Sequence, residues 1–186
     1  MSHGAFHVPS PKNEPVRAYA PGSPERASLK AKLDEMASSQ VEVPLIIGGR
    51  EIFAGDTKDM VMPHALGHVR GKFHRAQPEH VKLAIDAATE ARAAWQALPW
   101  EERASIFLRA AELLAGPWRD TVNAATMLNQ SKTVHQAEID SACELIDFYR
   151  YNPRFMERLY AEQPESADNC WNRVEHRPLD GFVFAI

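Results

Sequence analysis

Five consecutive apolar residues, Phe182-Val183-Phe184-Ala185-Ile186, close the chain and constrain its fold more than any other stretch. A run rich in aromatic and β-branched side chains suits a strand buried on both faces, as in a parallel sheet. Such a strand must pair its backbone N–H and C=O groups with neighbours, because leaving them buried and unpaired is costly. The preceding Arg177-Pro178-Leu179-Asp180-Gly181 reads as a turn, with Pro fixing φ and Gly free to take positive φ. No residues follow that could supply a partner strand, so the expectation is a sequence that stops where a further domain starts.

Upstream, the periodicity changes several times. Residues 1–22 hold Pro9, Pro11, Pro15 and Pro21 and show no helical period, which predicts an extended arm. Ser23-Pro24 is a helix start, Ser as N-cap and Pro at the first helical position, with the helix running to about Ala37. Leu45-Ile46-Ile47 and Ile52-Phe53 flank Gly48-Gly49 and predict a hairpin. A second extended pair, Met60 to Met62 and Val69 to Phe73, is split by a Pro63 to Gly67 loop, and the two units together predict a small antiparallel sheet.

From Gln77 the spacing is helical, with Val81, Ala84, Ile85, Ala88, Trp95 and Leu98 on one face. After Pro99 a second helix aligns Ala104, Phe107, Ala111 and Leu114 and ends at Gly116-Pro117. A third spans about Trp118 to Leu128. A fourth starts near Thr133 and carries Val134, Ala142, Leu145 and Tyr149, with Pro153 expected to break or kink it. A polar loop and the alternating stretch around Trp171 to Pro178 complete the chain. The reading is an α/β fold divided into an arm (1–22), a hairpin and helical part (23–163), an exposed-face strand segment (164–178) and a truncated buried strand (179–186).

Composition excludes several partners. With 21 basic and 25 acidic residues the net charge is −4, and no basic block is present to meet nucleic acid or an anionic membrane. No apolar stretch approaches the roughly 18 residues of a membrane span. The first residues lack secretory or organelle-targeting patterns, which predicts a cytoplasmic protein. Cys143 and Cys170 lie in unlike surroundings and without CxxC partners, so they are expected as reduced thiols.

The candidate chemistry is sparse. His64 and His68 stand four apart with His74 near, but Pro63, Gly67 and Gly71 argue against the helix that metal ligation would need. Solvated loop histidines and no metal are expected. The "NQSKT" stretch has Thr126 and Ser131 where a phosphate loop needs glycines, so Ser131 or Thr133 is read as a helix cap. Cys143, beside Glu144, reads as a packed and inert thiol. Glu138, Asp140, Glu144 and Asp147 would by default form a solvated helix face. Glu144 stands out because it lies between Ala142 and Leu145, near the apolar stripe, where an unpaired carboxylate is costly. It is the candidate for lining a polar pocket. No catalytic constellation is complete.

Several long stretches nevertheless form a recognisable set: "NEPVRAYAPGSPER", "VPLIIGGREI", "WEERASIFLRAAELLAGPWR", "NQSKTVHQAEIDSACELIDFYRYN" and "RPLDGFVFAI". Together they resemble the N-terminal part of aldehyde dehydrogenases, and more closely the 1-pyrroline-5-carboxylate dehydrogenase branch. The resemblance implies that "GFVFAI" is the first strand of a Rossmann-type NAD domain. The family's cofactor glycines, oxyanion-hole Asn and nucleophilic Cys would then all lie beyond residue 186. Neither Cys143 nor Cys170 matches the nucleophile's motif, so the chain carries no catalytic residue. The implied cofactor is NAD and the implied substrate a small aldehyde, L-glutamate γ-semialdehyde. The implied partner is a second copy, joined through a flap strand in 164–178. Glu144 aligns with a position near the aldehyde tunnel mouth, and Ile186 with the start of the cofactor-contacting segment. A non-catalytic helical binding module, or part of another aldehyde dehydrogenase, stays open beside this reading. The isolated chain is expected to be marginally stable.

Overall fold

The computed structural model of the chain describes residues 4–186. Helix α1 (Pro24–Ser38) begins where expected: Ser23 Oγ accepts the Arg26 N–H at 3.3 Å, which satisfies one of the amides left free at a helix start. Strands β1 (Val41–Val43), β2 (Leu45–Ile47), β3 (Arg50–Ile52), β4 (Thr57–Met62) and β5 (Ala65–His74) follow. β2 and β3 form the predicted hairpin, and Gly48 and Gly49 both take positive φ (57° and 73°), as a tight hairpin turn requires.

The second hairpin is tighter than the sequence reading. β5 starts at Ala65, so the Pro63 to Gly67 loop shrinks to a turn at Pro63-His64. The expected single antiparallel sheet is also not what forms. β4 pairs antiparallel with β5, but β1 adds parallel to the other side of β5, giving a mixed sheet ordered β1-β5-β4, and β2–β3 stands apart. The parallel contact depends on Gly71, which faces Val41 in register with a φ of 150°. A Cβ there would lie 1.9 Å from the Val41 carbonyl oxygen. Only glycine permits so close an approach of two backbones.

The helices are α2 (Pro78–Ala97), α3 (Trp100–Ala115), α4 (Arg119–Gln130), α5 (Val134–Ala137) and α6 (Glu144–Ala161), with a π-helical turn (Glu138–Cys143) between α5 and α6. Thr133 caps α5 in a reciprocal capping box with Gln136, while Ser131 ends α4 in a left-handed conformation. Two apolar clusters hold the helices together. Tyr19, Leu29 and Ala124 join the arm, α1 and α4, and Ala111, Ala142 and Ile146 join α3 to the π turn and α6.

α2 buries none of its residues, and the face carrying Val81 and Trp95 is exposed, although Trp95 meets Phe107 of α3 edge-on at 6.5 Å. Pro153 does not end α6, which continues to Ala161 with the ring buried. Tertiary packing outweighs the one backbone bond that proline removes. The departure from α geometry comes instead at residues 138–143, where i→i+5 bonding inserts an extra residue per turn and re-aims the side chains that follow.

Beyond α6, an isolated bridge between Ala167 and Cys170 is the only ladder contact among the described residues. No strand forms within 171–178, and Phe182 to Ile186 lie exposed without a ladder, Phe184 at 78%. Extended backbone becomes a strand only when another strand lies beside it, and none does here. Among the described residues, no helix is long and apolar enough to cross a membrane. Gly71→Ala is expected to lower stability by about 2–4 kcal/mol, read from the urea midpoint. Gly67→Ala, where an added Cβ meets nothing within 4 Å, should leave the midpoint nearly unchanged.

Candidate functional site

Glu138 opens the π turn and points inward, where it meets Arg119, the first residue of α4; both side chains are essentially sealed from water. Glu138 Oε2 accepts from Asn123 Nδ2 at 2.8 Å, Tyr19 Oη at 2.9 Å and Arg119 Nε at 3.3 Å. Its Oε1 accepts the Arg17 N–H at 2.7 Å and a second guanidinium N–H from Arg119. Arg119 also pairs with Glu14 and donates to the Pro15 carbonyl at 2.8 Å, and Arg150 meets the other Glu14 oxygen at 2.8 Å. Burial opposes charge on Glu138, but the hydrogen bonds from Arg119, Arg17, Tyr19 and Asn123 overcome it and hold the carboxyl down at about 2. Tyr19 is pushed up to about 12 by burial and by that carboxylate.

Cys143 borders this network, 3.5 Å from an Arg119 nitrogen. Burial, then the Glu138 charge, raises its thiol to about 11, so it is protonated and unreactive at neutral pH. Both cysteines are free, Cys143 buried and Cys170 exposed.

Glu138 is the first of three carboxylates that receive the arm along one helical column. Asp147 accepts the Glu14 N–H at 2.7 Å and Asn13 Nδ2 at 2.6 Å. Glu157 accepts the Val8 N–H at 3.0 Å and His7 Nδ1–H at 2.8 Å, with Arg154 at 2.6 Å. The His7 bond leads the effects that lower the Glu157 carboxyl to about 2. The solvated-face reading therefore fails for Glu138 and fits Asp140, which is exposed and paired with Lys132. Glu138 stands four residues from both Val134 and Ala142, on the apolar stripe itself, which was the signal that could have found it; its arm partners, more than a hundred positions away in sequence, were not legible.

Glu144 is exposed rather than set against the apolar stripe, because it stands two residues from the buried Ala142 and Ile146 and so faces away from them. It does line a cavity of about 340 Å³. Asp147 is the second carboxylate of that cavity, Asn13 and Asn152 are its amides, and Phe148, Tyr151 and Phe155 are its rings. Such a mixture of a few polar groups on aromatic walls suits a small polar ligand. Ile186 is fully exposed and does not line this cavity.

The histidines divide. His64 is exposed and meets Ser131 Oγ at 2.8 Å, and His68 Nε2–H donates to the Ala37 carbonyl at 2.8 Å. His74, expected as a solvated loop residue, is buried in β5: its Nδ1 accepts the Gly55 N–H at 3.2 Å while Nε2–H donates to Glu42 at 2.9 Å. Among the described residues, no group of three or more His, Cys, Asp or Glu could hold a metal ion.

The depressed Glu138 carboxyl contributes stability that is fully present above its unfolded value near 4.5 and is lost as pH falls from there to about 2. Glu138→Ala leaves a buried guanidinium short of a partner and is expected to destabilise by about 3–5 kcal/mol. Denaturation midpoints taken from pH 7 to pH 2 should show a shallower acid limb in this variant than in the unaltered chain.

Comparison with known proteins adds to this geometry. The pattern of the aldehyde dehydrogenase family matches residues 53–186. The chain is 48% identical over 183 residues to a delta-1-pyrroline-5-carboxylate dehydrogenase of Agaricus bisporus, covering 97% of this chain and 34% of the relative. It is 40% identical over 188 residues to a mitochondrial delta-1-pyrroline-5-carboxylate dehydrogenase of Dictyostelium discoideum, covering all of this chain and 34% of the relative. The fold superposes with a TM-score of 0.95 on the delta-pyrroline-5-carboxylate dehydrogenase of Mycobacterium tuberculosis bound with NAD, at 47% identity, covering 97% of this chain and 34% of that one. The chain thus spans about a third of the length of the relatives it matches. With this match along most of the sequence and this agreement of fold, the chain belongs to the aldehyde dehydrogenase family.

Proposed function

We propose that this chain is the N-terminal third of an NAD-dependent dehydrogenase that oxidises L-glutamate γ-semialdehyde, the open form of 1-pyrroline-5-carboxylate, to glutamate in proline degradation. The likeness to dehydrogenases of that name, sustained over nearly the whole chain, carries the reading. NAD, when bound, supplies the hydride acceptor. The residues of this chain do not by themselves fit it: Gly48-Gly49 serve a hairpin turn, and Ile186 stands exposed at the start of the segment that would approach the cofactor.

On this reading the division of labour is the one drawn from sequence. Residues 23–163 buttress the cofactor domain, 164–178 supply the flap strand through which copies of the protein join, and 179–186 open the NAD domain. The exposed side chains of Trp171, Val174, Phe182 and Phe184 are the surfaces those contacts would cover. The two free thiols support a reducing compartment, and we place the protein in the cytoplasm. The Glu144 cavity lies on the substrate side. Its carboxylate offers a place for the ammonium of a zwitterionic aldehyde, and the Asn152 amide one for its carboxylate.

The 186-residue chain is expected to reduce no NAD with the semialdehyde, whereas the polypeptide read through the codon after Ile186 should do so and should carry a Pro-Phe-Asn-type motif and a later Cys segment. Turnover by the chain alone, or a stop codon directly after Ile186, contradicts the proposal. In the longer polypeptide Glu144→Gln should raise KM for the semialdehyde about tenfold, the loss of one charge-assisted hydrogen bond, with kcat little changed.

A further inference from the structure

We propose that the N-terminal arm completes the Glu144 cavity and that Asn13 is its positioning residue, setting the cavity's preference for a charged aldehyde. This rests on the reading of that cavity as the substrate side. Asn13 lines the cavity and uses its amide on two other residues of the same wall. Nδ2 donates to Asp147 Oδ2 at 2.6 Å, and Oδ1 accepts from the Tyr151 hydroxyl at 3.2 Å. The next residue of the arm takes the remaining Asp147 oxygen, through the Glu14 N–H at 2.7 Å. Both oxygens of Asp147 are thereby turned to the arm. Glu144, which has no side-chain hydrogen bond or ion pair among the described residues, is left as the carboxylate free to meet a ligand.

Asn13 also borders a second cavity of about 500 Å³ between the Pro9 to Pro15 stretch, Leu108, Glu112 and Arg150. Asn13 thus borders two spaces. The arm around Asn13 is held firmly, because it is fixed on one side at Glu157 and on the other at Glu138, and Glu14 is paired with both Arg119 and Arg150. Losing the amide frees an Asp147 oxygen and the Tyr151 hydroxyl. An acid at position 13 would go further and set a negative charge against Asp147. Because Asn13 is itself exposed, neither change removes a buried group.

The test uses the full-length dehydrogenase carrying this segment, with L-glutamate γ-semialdehyde and uncharged propanal as the two substrates. Asn13→Ala should raise KM for the semialdehyde several-fold, and Asn13→Asp about tenfold. kcat should change little, kcat/KM for propanal should stay within about twofold, and the melting temperature should hold. An unchanged KM in both variants, or an equal loss on both aldehydes, overturns the assignment; the second pattern marks a purely structural role. Glu144→Gln, measured in parallel, separates the two ideas. If it raises KM for the semialdehyde and the Asn13 variants do not, the role of Asn13 alone falls. If neither position affects that KM, the substrate-side reading falls with it. A selective rise in the Asn13 variants without one in Glu144→Gln upholds Asn13 and removes Glu144 from the cavity's function.

Discussion

A guanidinium and a carboxylate taken out of water, Arg119 and Glu138, fix the arrangement of the elements around them. Desolvating two charges is expensive, and their attraction offsets the penalty only when every remaining donor and acceptor is also met. Here the extra partners come from far apart in sequence: Tyr19, Arg17, Pro15 and Glu14 from the arm, and Asn123 from α4. The pair is complete only when the arm lies across the helices, so arm docking and helix packing are one event. Apolar packing follows the same geometry, with the Tyr19 ring buried against Leu29 and Ala124 directly beside the polar network.

That arrangement joins residues far apart in sequence, so local pattern does not announce it. Local features were legible because their causes are local. The Ser23-Pro24 start, the Gly48-Gly49 hairpin and the Thr133 cap are each set by two or three adjacent residues. The stripe through Ala104 and Ala111 held for the same reason, since a regular helix carries its period without outside help. What failed was non-local. β1 is a strand because Gly71 lets it approach β5, and nothing within Val41 to Val43 announces a parallel partner thirty positions on. Glu138 lies on the apolar stripe, four residues from both Val134 and Ala142, but the arm groups that satisfy its charge are distant in sequence; Glu144, two residues from buried Ala142 and Ile146, faces away from them.

The site was legible in the same divided way. Glu144 lines a cavity walled by aromatic rings and a few polar side chains, and it is exposed there rather than trapped in an apolar stripe. Asn13 and Tyr151 could not be found by spacing, because they meet only when the arm crosses α6. The family resemblance was carried by long segments rather than by any catalytic group. The apolar run from Phe182 to Ile186 is exposed, with no strand beside it.

The central claim, that three helix carboxylates hold the arm as part of the folded unit, is tested most directly by native-state amide hydrogen exchange on the chain. The N–H groups of Val8, Glu14 and Arg17, which donate to Glu157, Asp147 and Glu138, should exchange slowly, with opening energies approaching those of α4 and α6. The neighbouring amides of Ser10 and Lys12 should exchange much faster. If Val8, Glu14 and Arg17 exchange as fast as Ser10 and Lys12 while the helices stay protected, the arm is a loose tether, and the buried Arg119–Glu138 pair does not organise the fold.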